Sequence, residues 1–156
     1  MIQKLERKRQ HAFVYEGFGF PVILVNVPMV RSLGVWTPDV DYRKLARDVL
    51  RALALHPARL TGQEIRFIRH SMDMTLEQFA HRFGVTHPAV VHWEQCGRRP
   101  TRMTWALEKD IRLEIMRSQP APSATRFVEA YTELAEARPN KAAPVRVDGL
   151  QPAGQR

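Results

Sequence analysis

The chain has 156 residues, of which 44% are hydrophobic, and it carries a formal net charge of +8 at pH 7. That length can bury one good core or two small ones, and the charge favours an anionic partner such as nucleic acid. The single cysteine, Cys96, excludes an internal disulfide framework, and no apolar run is long enough to span a bilayer. We therefore expect a soluble cytoplasmic protein with one or two domains and no membrane partner.

The N-terminal part of the chain predicts a small sheet that follows a flexible arm. Residues 1–10, MIQKLERKRQ, are basic and predict the arm. From residue 11 to about 36, β-branched and aromatic residues punctuated by glycine predict two antiparallel strands in AFVYEGFGFPVILVNVP and a third in MVRSLGVW. A phosphate-binding loop at Gly17 and Gly19 is disfavoured, because a second strand follows these glycines and not a helix.

A helical pattern follows the predicted sheet. From Asp39 to His56, apolar residues recur at intervals of three and four, which predicts an amphipathic helix with one apolar side. This side could cover the sheet or form part of a dimer seam. We therefore predict a small β domain with a linking helix at 11–58, which offers a surface for dimerisation or for another partner.

Residues 59–117 predict a compact all-α domain. The segments 61–64 (TGQE) and 75–78 (TLEQ) are capping-box patterns, in which a threonine and the Glu or Gln three residues later satisfy backbone donors at a helix start. The helix that begins after Thr75 ends at Gly84, which suits a left-handed C-terminal residue. Thr86 can cap the next helix, so the pattern predicts a helix-turn-helix.

Three further segments complete the predicted organisation. A fourth helix of the all-α domain is expected from about Thr101 or Thr104. The stretch SQPAPS then breaks the chain, and an amphipathic C-terminal helix is predicted within 118–137. Residues 138–156 contain proline, glycine and alanine and predict a disordered tail.

Placed on a helix, residues 86–95 separate into two sides. Val90 and Trp93 face inward, where they can pack on the preceding helix, and Trp93 is therefore more readily a core residue than a contact residue. The opposite side contains residues of small or medium size and no acid, which suits a helix that enters the DNA major groove. The predicted core of the helix pair comprises Phe79, Ala80, Gly84, Val90 and Trp93, and the predicted base-reading residues are His87, Pro88, Val91, His92 and Gln95.

Phosphate contacts are expected on either side of this helix. The unsatisfied amides at a helix start attract an anion, and arginines just past the helix are suited to contacts with the DNA backbone. The predicted phosphate-binding residues are Thr75, Thr86, Arg98, Arg99 and Arg102. The same residues have a simpler interpretation as a solvated loop and helix caps, and surface histidines such as His87 are common.

Neither a metal site nor a catalytic group is expected. His92 and Cys96 stand four residues apart, and His81 is near in sequence. A structural zinc site usually takes four cysteine or histidine ligands, and a catalytic cysteine requires an oriented base. We therefore expect no metal, no cofactor and no enzymatic activity.

The segment MTLEQFAHRFGVTHPAVVHWEQCGRRP resembles the helix-turn-helix of the Cro/cI-repressor class, also called the XRE family. The resemblance covers residues 61–117 and depends on Gly84, Thr86, Trp93, Glu94, Gly97 and Pro100. Cys96 lengthens the usual Glu-x-Gly exit from the helix by one residue. The resemblance implies a lambda-repressor-like domain in a homodimer that binds a palindromic operator, with half-sites about 34 Å apart.

The whole layout is also similar to that of MqsA/YgiT-type antitoxins, in which a small β domain precedes a linking helix and a repressor-type domain. In those proteins the β domain carries two Cys-x-x-Cys pairs that hold zinc. This chain has neither pair, and RSLG (31–34) occupies the place of the second. The zinc site is therefore not implied here.

These observations lead to a principal functional prediction and two alternatives. The first is a dimeric transcriptional repressor that binds double-stranded DNA and regulates its own promoter. The second is an antitoxin that neutralises a toxin protein by direct contact and also represses its operon. The third, an enzyme acting on nucleic acid, would need a cluster of acids or metal ligands, which the sequence lacks.

Overall fold

The computed structural model describes residues 4–154. Within these residues the protein is an α+β structure of four strands and six helices. This agrees with the α+β, mainly α, fold class to which the predicted small sheet, linking helix and all-α domain belong. The described chain divides into two compact units. One contains residues 4–49 and 144–154 and holds the sheet, and the other contains residues 50–143 and holds most of the helices.

The sheet is built around its second strand. The strands are β1 (Glu6–Tyr15), β2 (Val22–Ser32), β3 (Val35–Pro38) and β4 (Val145–Val147). β1 and β3 both pair antiparallel with β2, whereas β4 pairs parallel with it. Because Val22 pairs with both Tyr15 of β1 and Val145 of β4, β4 lies on the side of β2 that faces away from β1.

The sequence prediction for the first strands is wrong in two places. The expected arm at residues 1–10 is part of the sheet from Glu6 onward, whereas residues 1–3 lie outside the described residues. An edge strand tolerates a run of charged side chains, so the basic composition did not exclude a strand. The third strand, predicted in MVRSLGVW (29–36), begins only at the end of that segment, since β2 continues to Ser32, a turn follows at Leu33 and Gly34 with φ angles of 51° and 81°, and β3 runs from Val35 to Pro38.

The predicted disordered tail at 138–156 also needs correction. Residues 145–147 form β4, Val145 and Val147 are buried, and Leu150 is only 3% exposed. The sheet is therefore mixed and not purely antiparallel. A strand of three residues is too short to be recognised from its own pattern, and only its pairing with β2 makes it a strand. The last two residues lie outside the part of the chain that the structure describes.

Six helices are present in the described chain. They are α1 (Tyr42–Ala54), α2 (Gly62–Ser71), α3 (Leu76–Arg82), α4 (His87–Gln95), α5 (Trp105–Arg117) and α6 (Ala124–Glu136). Both predicted capping boxes are confirmed, at the starts of α2 and α3. Of the two proposed starts of the fourth helix, Thr104 is the cap of α5. Thr101 is buried in the preceding loop.

The linking helix α1 buries its apolar side within a single chain. Leu45 is 1% exposed and Val49 is fully buried, both in the unit that contains the sheet. At the start of the helix, the ring of Tyr42 lies 5.7 Å from that of Tyr15 in β1. The apolar side of α1 is therefore buried within the chain itself.

The helical unit contains a completely buried arginine. Arg112 of α5 is 0% exposed and donates to the carboxylate of Glu108 one turn earlier, at 2.7 Å. It also donates to the carbonyl oxygens of Leu53 at 3.4 Å, His56 at 2.5 Å and Ala58 at 2.5 Å. Since the last carbonyls of a helix have no partner within that helix, Arg112 satisfies the end of α1 and the segment after it.

Glu108 completes this buried network. Its Oε1 accepts hydrogen bonds from the Arg59 side chain at 2.9 Å and from the Leu60 amide at 3.3 Å. Burial is the main cause that lowers the pKa of Arg112, and the negative charge of Glu108 opposes this effect. The carboxylate thus keeps the arginine charged in an environment that disfavours charge.

Candidate nucleic-acid interface

The turn between α3 and α4 consists of the four residues 83–86. At the end of α3, Gly84 has a φ of 68°, and its amide donates to the His81 carbonyl at 3.3 Å. The amide of Val85 donates to the Ala80 carbonyl at 2.9 Å. This pair of bonds is the Schellman arrangement, which ends a helix and requires a left-handed residue. The predicted role of Gly84 as the helix stop is therefore confirmed, although the residue itself is exposed and not a packing residue.

The inner side of α4 packs on α3 as its periodicity predicts. Val90 is fully buried, and Trp93 is 7% exposed. In α3, Phe79 and Ala80 are buried, and the ring of Phe79 lies 4.7 Å from that of Phe83 in an edge-on contact. Four of the five predicted core residues are thus in the core of the helix pair.

The outer side of α4 is open to solvent. The predicted reading residues His87, Pro88, His92 and Gln95 are all exposed, whereas Val91 is half-buried. The only acid between Thr86 and Met103 is Glu94, and its carboxylate is engaged with an arginine of α2. The structure therefore brings the predicted residues together on one face that presents no free carboxylate.

An ion pair fixes α4 to α2, and sequence reasoning missed it. Arg69 donates from Nε to Glu94 Oε1 at 2.6 Å and from Nη2 to Glu94 Oε2 at 3.3 Å. A third donor, Nη1, reaches the Met74 carbonyl at 3.0 Å. Both side chains are at most 14% exposed, and a two-point geometry of this kind is among the stronger ion pairs. The isolated acid in a basic segment was the signal that could have identified it.

The loop after α4 is held by the first turn of α2. The amide of Gly62 donates to the Arg99 carbonyl at 3.3 Å, and that of Gln63 donates to the Gly97 carbonyl at 3.0 Å. Thr61 and Pro100 form an isolated β-bridge. Amides at the start of a helix have no partner within that helix, so the loop supplies acceptors for α2 while α2 fixes the loop.

The three predicted phosphate-binding arginines lie in this loop or just after it. Arg98, Arg99 and Arg102 are all exposed. Arg102 has a φ of 63°, a left-handed conformation that costs a residue other than glycine about 1 kcal/mol. Its neighbours hold it there, because the backbone amide of Thr101 donates to the Leu60 carbonyl at 3.3 Å and the side chain of Met103 is buried, with 6% exposed.

The two predicted threonines cap the helices of the pair. Thr75 Oγ1 accepts from the Gln78 amide at 3.1 Å, and Thr86 Oγ1 accepts from the Ala89 amide at 3.3 Å. Both residues are exposed. A hydroxyl that accepts one hydrogen bond can still donate its own proton, so each threonine could donate to a phosphate without giving up its cap.

A second ion cluster joins α3 to α5. Glu114 accepts from Arg82 of α3 at 2.7 Å and from Arg117 at 2.5 Å and 2.9 Å. Hydrogen bonds from Arg117 and then from Arg82 lower the pKa of Glu114 to about 2, against the opposing effect of burial. The contact keeps α3 in place beneath α4 as long as Glu114 is ionised.

We expect acid to destabilise the protein through Glu114. Its folded pKa of about 2 lies below the ordinary value of 4.5, so the stabilisation is complete above pH 4.5 and is lost as the pH falls towards 2. Because Arg82 and Arg117 are partly in water, we expect a loss of about 1 kcal/mol. Urea unfolding of the wild type and of Glu114→Gln at pH 6 and pH 3 measures this loss in the free energy of unfolding.

The comparison with Glu114→Gln also controls for the other groups that titrate between pH 6 and pH 3. Burial is the main cause that raises the pKa of Glu64, which has the opposite effect on stability, but Glu64 is present in both proteins. The difference in stability between wild type and variant should therefore shrink on acidification. An equal difference at both pH values would show that the cluster contributes no pH-dependent stability.

Cys96 and the histidines do not form a metal site in the described residues. Cys96 is a half-buried free thiol whose Sγ lies 3.4 Å from the His92 carbonyl. Between residues 4 and 154, no group of three or more His, Cys, Asp and Glu side chains could hold a metal ion. In the same stretch, no helix has both the length and the apolar character that crossing a membrane requires.

Comparison with known proteins assigns no function to this site, so the site is interpreted from its own geometry. No protein-family model, no curated protein and no solved structure matches the chain. The site consists of a short helix with an exposed, acid-free face, two hydroxyl caps and a basic loop, all fixed by buried contacts. This arrangement can hydrogen-bond a polar surface and attract phosphates.

Proposed function

We propose that this protein is a sequence-specific DNA-binding regulator that inserts α4 into the major groove. The observation that carries the proposal is the acid-free outer face of α4, formed by exposed His87, Pro88, His92 and Gln95. A major groove about 12 Å wide admits one helix against the base edges. Imidazole and amide groups can donate to or accept from those edges, whereas a carboxylate would be repelled by the phosphates.

The fold of the helical region supports the same proposal. We interpret α2–α5 as a lambda-repressor-like domain in which α3, the Gly84 turn and α4 form the helix-turn-helix. The ion pair between Arg69 and Glu94 supports this interpretation, because it gives α4 a fixed orientation that base reading requires. The arginines of the following loop would contact the phosphates and set the position of the helix on the duplex.

The regulator would act as a homodimer on a palindromic operator, most simply that of its own promoter. Two-fold operators follow from two-fold proteins, and binding over a promoter would exclude the polymerase and repress transcription. The alternative role, an antitoxin, adds a toxin protein as partner and uses the same DNA contact for autoregulation. Co-purification of a toxin encoded by the adjacent gene would favour that role.

The test is selection of bound fragments from the source genome by the purified protein. Any enriched duplex is then titrated by fluorescence anisotropy at several salt concentrations beside a random duplex of the same length. We expect enrichment of a short palindrome that is bound at least 10³-fold more tightly than the random duplex. Equal binding of both duplexes would overturn the proposal.

Two substitutions separate base reading from phosphate contact. His92→Ala should reduce discrimination between the operator and a mismatched duplex by about 1–3 kcal/mol at the contacted base pair, since the exposed ring would no longer read it. Arg98→Gln combined with Arg99→Gln should weaken binding to every duplex. It should also reduce the steepness of the slope of log K against the logarithm of salt concentration by about 2.

Thermal unfolding of both variants provides the control, because all three residues are exposed and the fold should be retained. Unchanged discrimination in His92→Ala would remove that residue from the reading face. Unchanged salt dependence in the double variant would place the loop away from the DNA.

A further inference from the structure

One end of the sheet exposes apolar side chains that a single chain normally buries. At the tip of the β2–β3 hairpin, Leu33 is 101% exposed and Val35 is 60% exposed. Leu5, just before β1, is 47% exposed. Because Glu6 pairs with Arg31 in the sheet register, the start of β1 lies beside the end of β2. We call the surface formed by 4–9 and 31–36 the sheet-end surface.

The sheet-end surface is strongly positive. It contains five cations and one carboxylate, a net charge of +4. Two of the cations are used within the sheet unit, since Arg7 pairs with Asp39 and Arg9 donates to the Asn26 carbonyl at 2.6 Å. The remaining three are Lys4, Lys8 and Arg31.

Two of these three cations are held so that they border the apolar tip. The ammonium of Lys8 lies 4.5 Å above the ring of Trp36 in β3. Arg31 lies 3.4 Å from the carboxylate of Glu6, in an ion pair whose side chains are 44% and 64% exposed. An exposed pair of this kind contributes little stability, so Arg31 could exchange Glu6 for another anion at small cost.

A shallow groove of about 590 Å³ runs along the same surface and is lined by residues 4–8 and Trp36. The hairpin tip next to it is a tight two-residue turn, in which Leu33 and Gly34 both adopt left-handed φ angles that match the twist of the strands. An apolar tip bordered by cations and a basic groove is a combination that architectural proteins use on the DNA minor groove.

We propose that the sheet-end surface binds the backbone of duplex DNA, with Lys4, Lys8 and Arg31 on phosphates and Leu33 in the minor groove. The inference rests on the proposed function, because it adds a second DNA contact outside α4. Charge complementarity selects the occupant: a surface of net charge +4 repels a basic partner and attracts a polyanion, and the polyanion that the proposed function already brings to this protein is duplex DNA.

The experiment uses the full-length protein and two variants of the surface. One variant combines Lys4→Gln, Lys8→Gln and Arg31→Gln, and the other is Leu33→Ser. A charge-matched control replaces Arg43, Arg47 and Arg126, which are exposed arginines outside the surface, by glutamine. Anisotropy titrations over a range of salt concentrations are carried out on a random duplex and on any enriched duplex.

For both duplexes, we expect the triple cation variant to reduce the steepness of the slope of log K against the logarithm of salt concentration by about 2–3. The control variant should change this slope by less than about 1. Leu33→Ser should lower the affinity without changing the salt dependence, because it removes no charge. Equal salt dependence in the triple variant and the wild type would overturn the inference. So would binding of the wild type to phosphatidylserine vesicles that Leu33→Ser abolishes while DNA binding is unchanged.

The two proposals fail in different ways. If no duplex is enriched but the triple variant still loses salt dependence on random DNA, α4 does not read sequence and the sheet-end surface is a DNA contact. If an enriched duplex is bound with the same salt dependence by wild type and triple variant, α4 reads sequence and the sheet-end surface is not a DNA contact.

Discussion

Replacing Arg112 by methionine is expected to lower the free energy of unfolding by about 3–5 kcal/mol, the cost of leaving a buried charge without its partner. Arg112 and Glu108 are both 0% exposed, so the carboxylate would remain in the interior with only Arg59 and an amide as donors. The carbonyl of Leu53 at the end of α1 and those of His56 and Ala58 in the following segment would also lose their hydrogen bonds to Arg112. Urea unfolding followed by circular dichroism measures the loss.

Two further variants of this protein test whether the loss of stability comes from the buried network. Arg117→Met removes an arginine that also pairs with a glutamate but is 68% exposed, and we expect it to cost much less stability than Arg112→Met. Arg112→Met combined with Glu108→Leu removes both charges and should recover part of the stability. A loss in Arg112→Met no larger than that in Arg117→Met would show that the network contributes little.

Gly62→Ala is expected to displace α4 and the loop after it, although Gly62 itself lies outside the candidate nucleic-acid interface. A Cβ at this position would lie 2.3 Å from the Trp93 carbonyl oxygen, 2.9 Å from that of Glu94 and 2.8 Å from the Gly97 amide nitrogen. All three are backbone atoms and cannot rotate away, so α2 would have to move from the end of α4. We expect a loss of about 1–3 kcal/mol in stability and, under the proposed function, a loss of about tenfold or more in operator affinity.

Gly149→Ala is the matched control for this substitution. Gly149 has a φ of 71°, and no atom lies within 4 Å of a Cβ built there, so the same change costs only backbone strain of about 1 kcal/mol. It should leave DNA affinity unchanged. If Gly62→Ala retains full operator affinity, the close approach of α2 to α4 does not position the loop.

The starts and stops of the helices could be predicted because their causes are local. The threonines at positions 61, 75, 86 and 104 are helix caps in the structure. Gly84 ends α3 in the left-handed conformation that its position requires. The inward and outward sides of α4 followed from the period of the helix, which places Val90 and Trp93 opposite His92.

The contacts that fix the candidate site could not be predicted, since they join residues far apart in the chain. Arg69 and Glu94 belong to separate helices, and although Glu94 stands out as the single acid of a basic segment, nothing local indicates that Arg69 is its partner. The same holds for Gly62, whose lack of a side chain matters only because α4 ends against it. The buried Arg112 would be assigned to the surface by composition alone, because arginine is rarely buried without a partner.

The pairing of β4 with β2 makes the sheet unit discontinuous, because all of residues 50–143 lie between its two segments. During synthesis, the first three strands leave the ribosome more than a hundred residues before β4 does. Until then, the other side of β2 at Val22–Leu24 lacks its final partner, and contacts this distant in sequence form slowly. The sheet unit can therefore be completed only after the whole helical unit has been synthesised, so the helical unit has the earlier opportunity to fold.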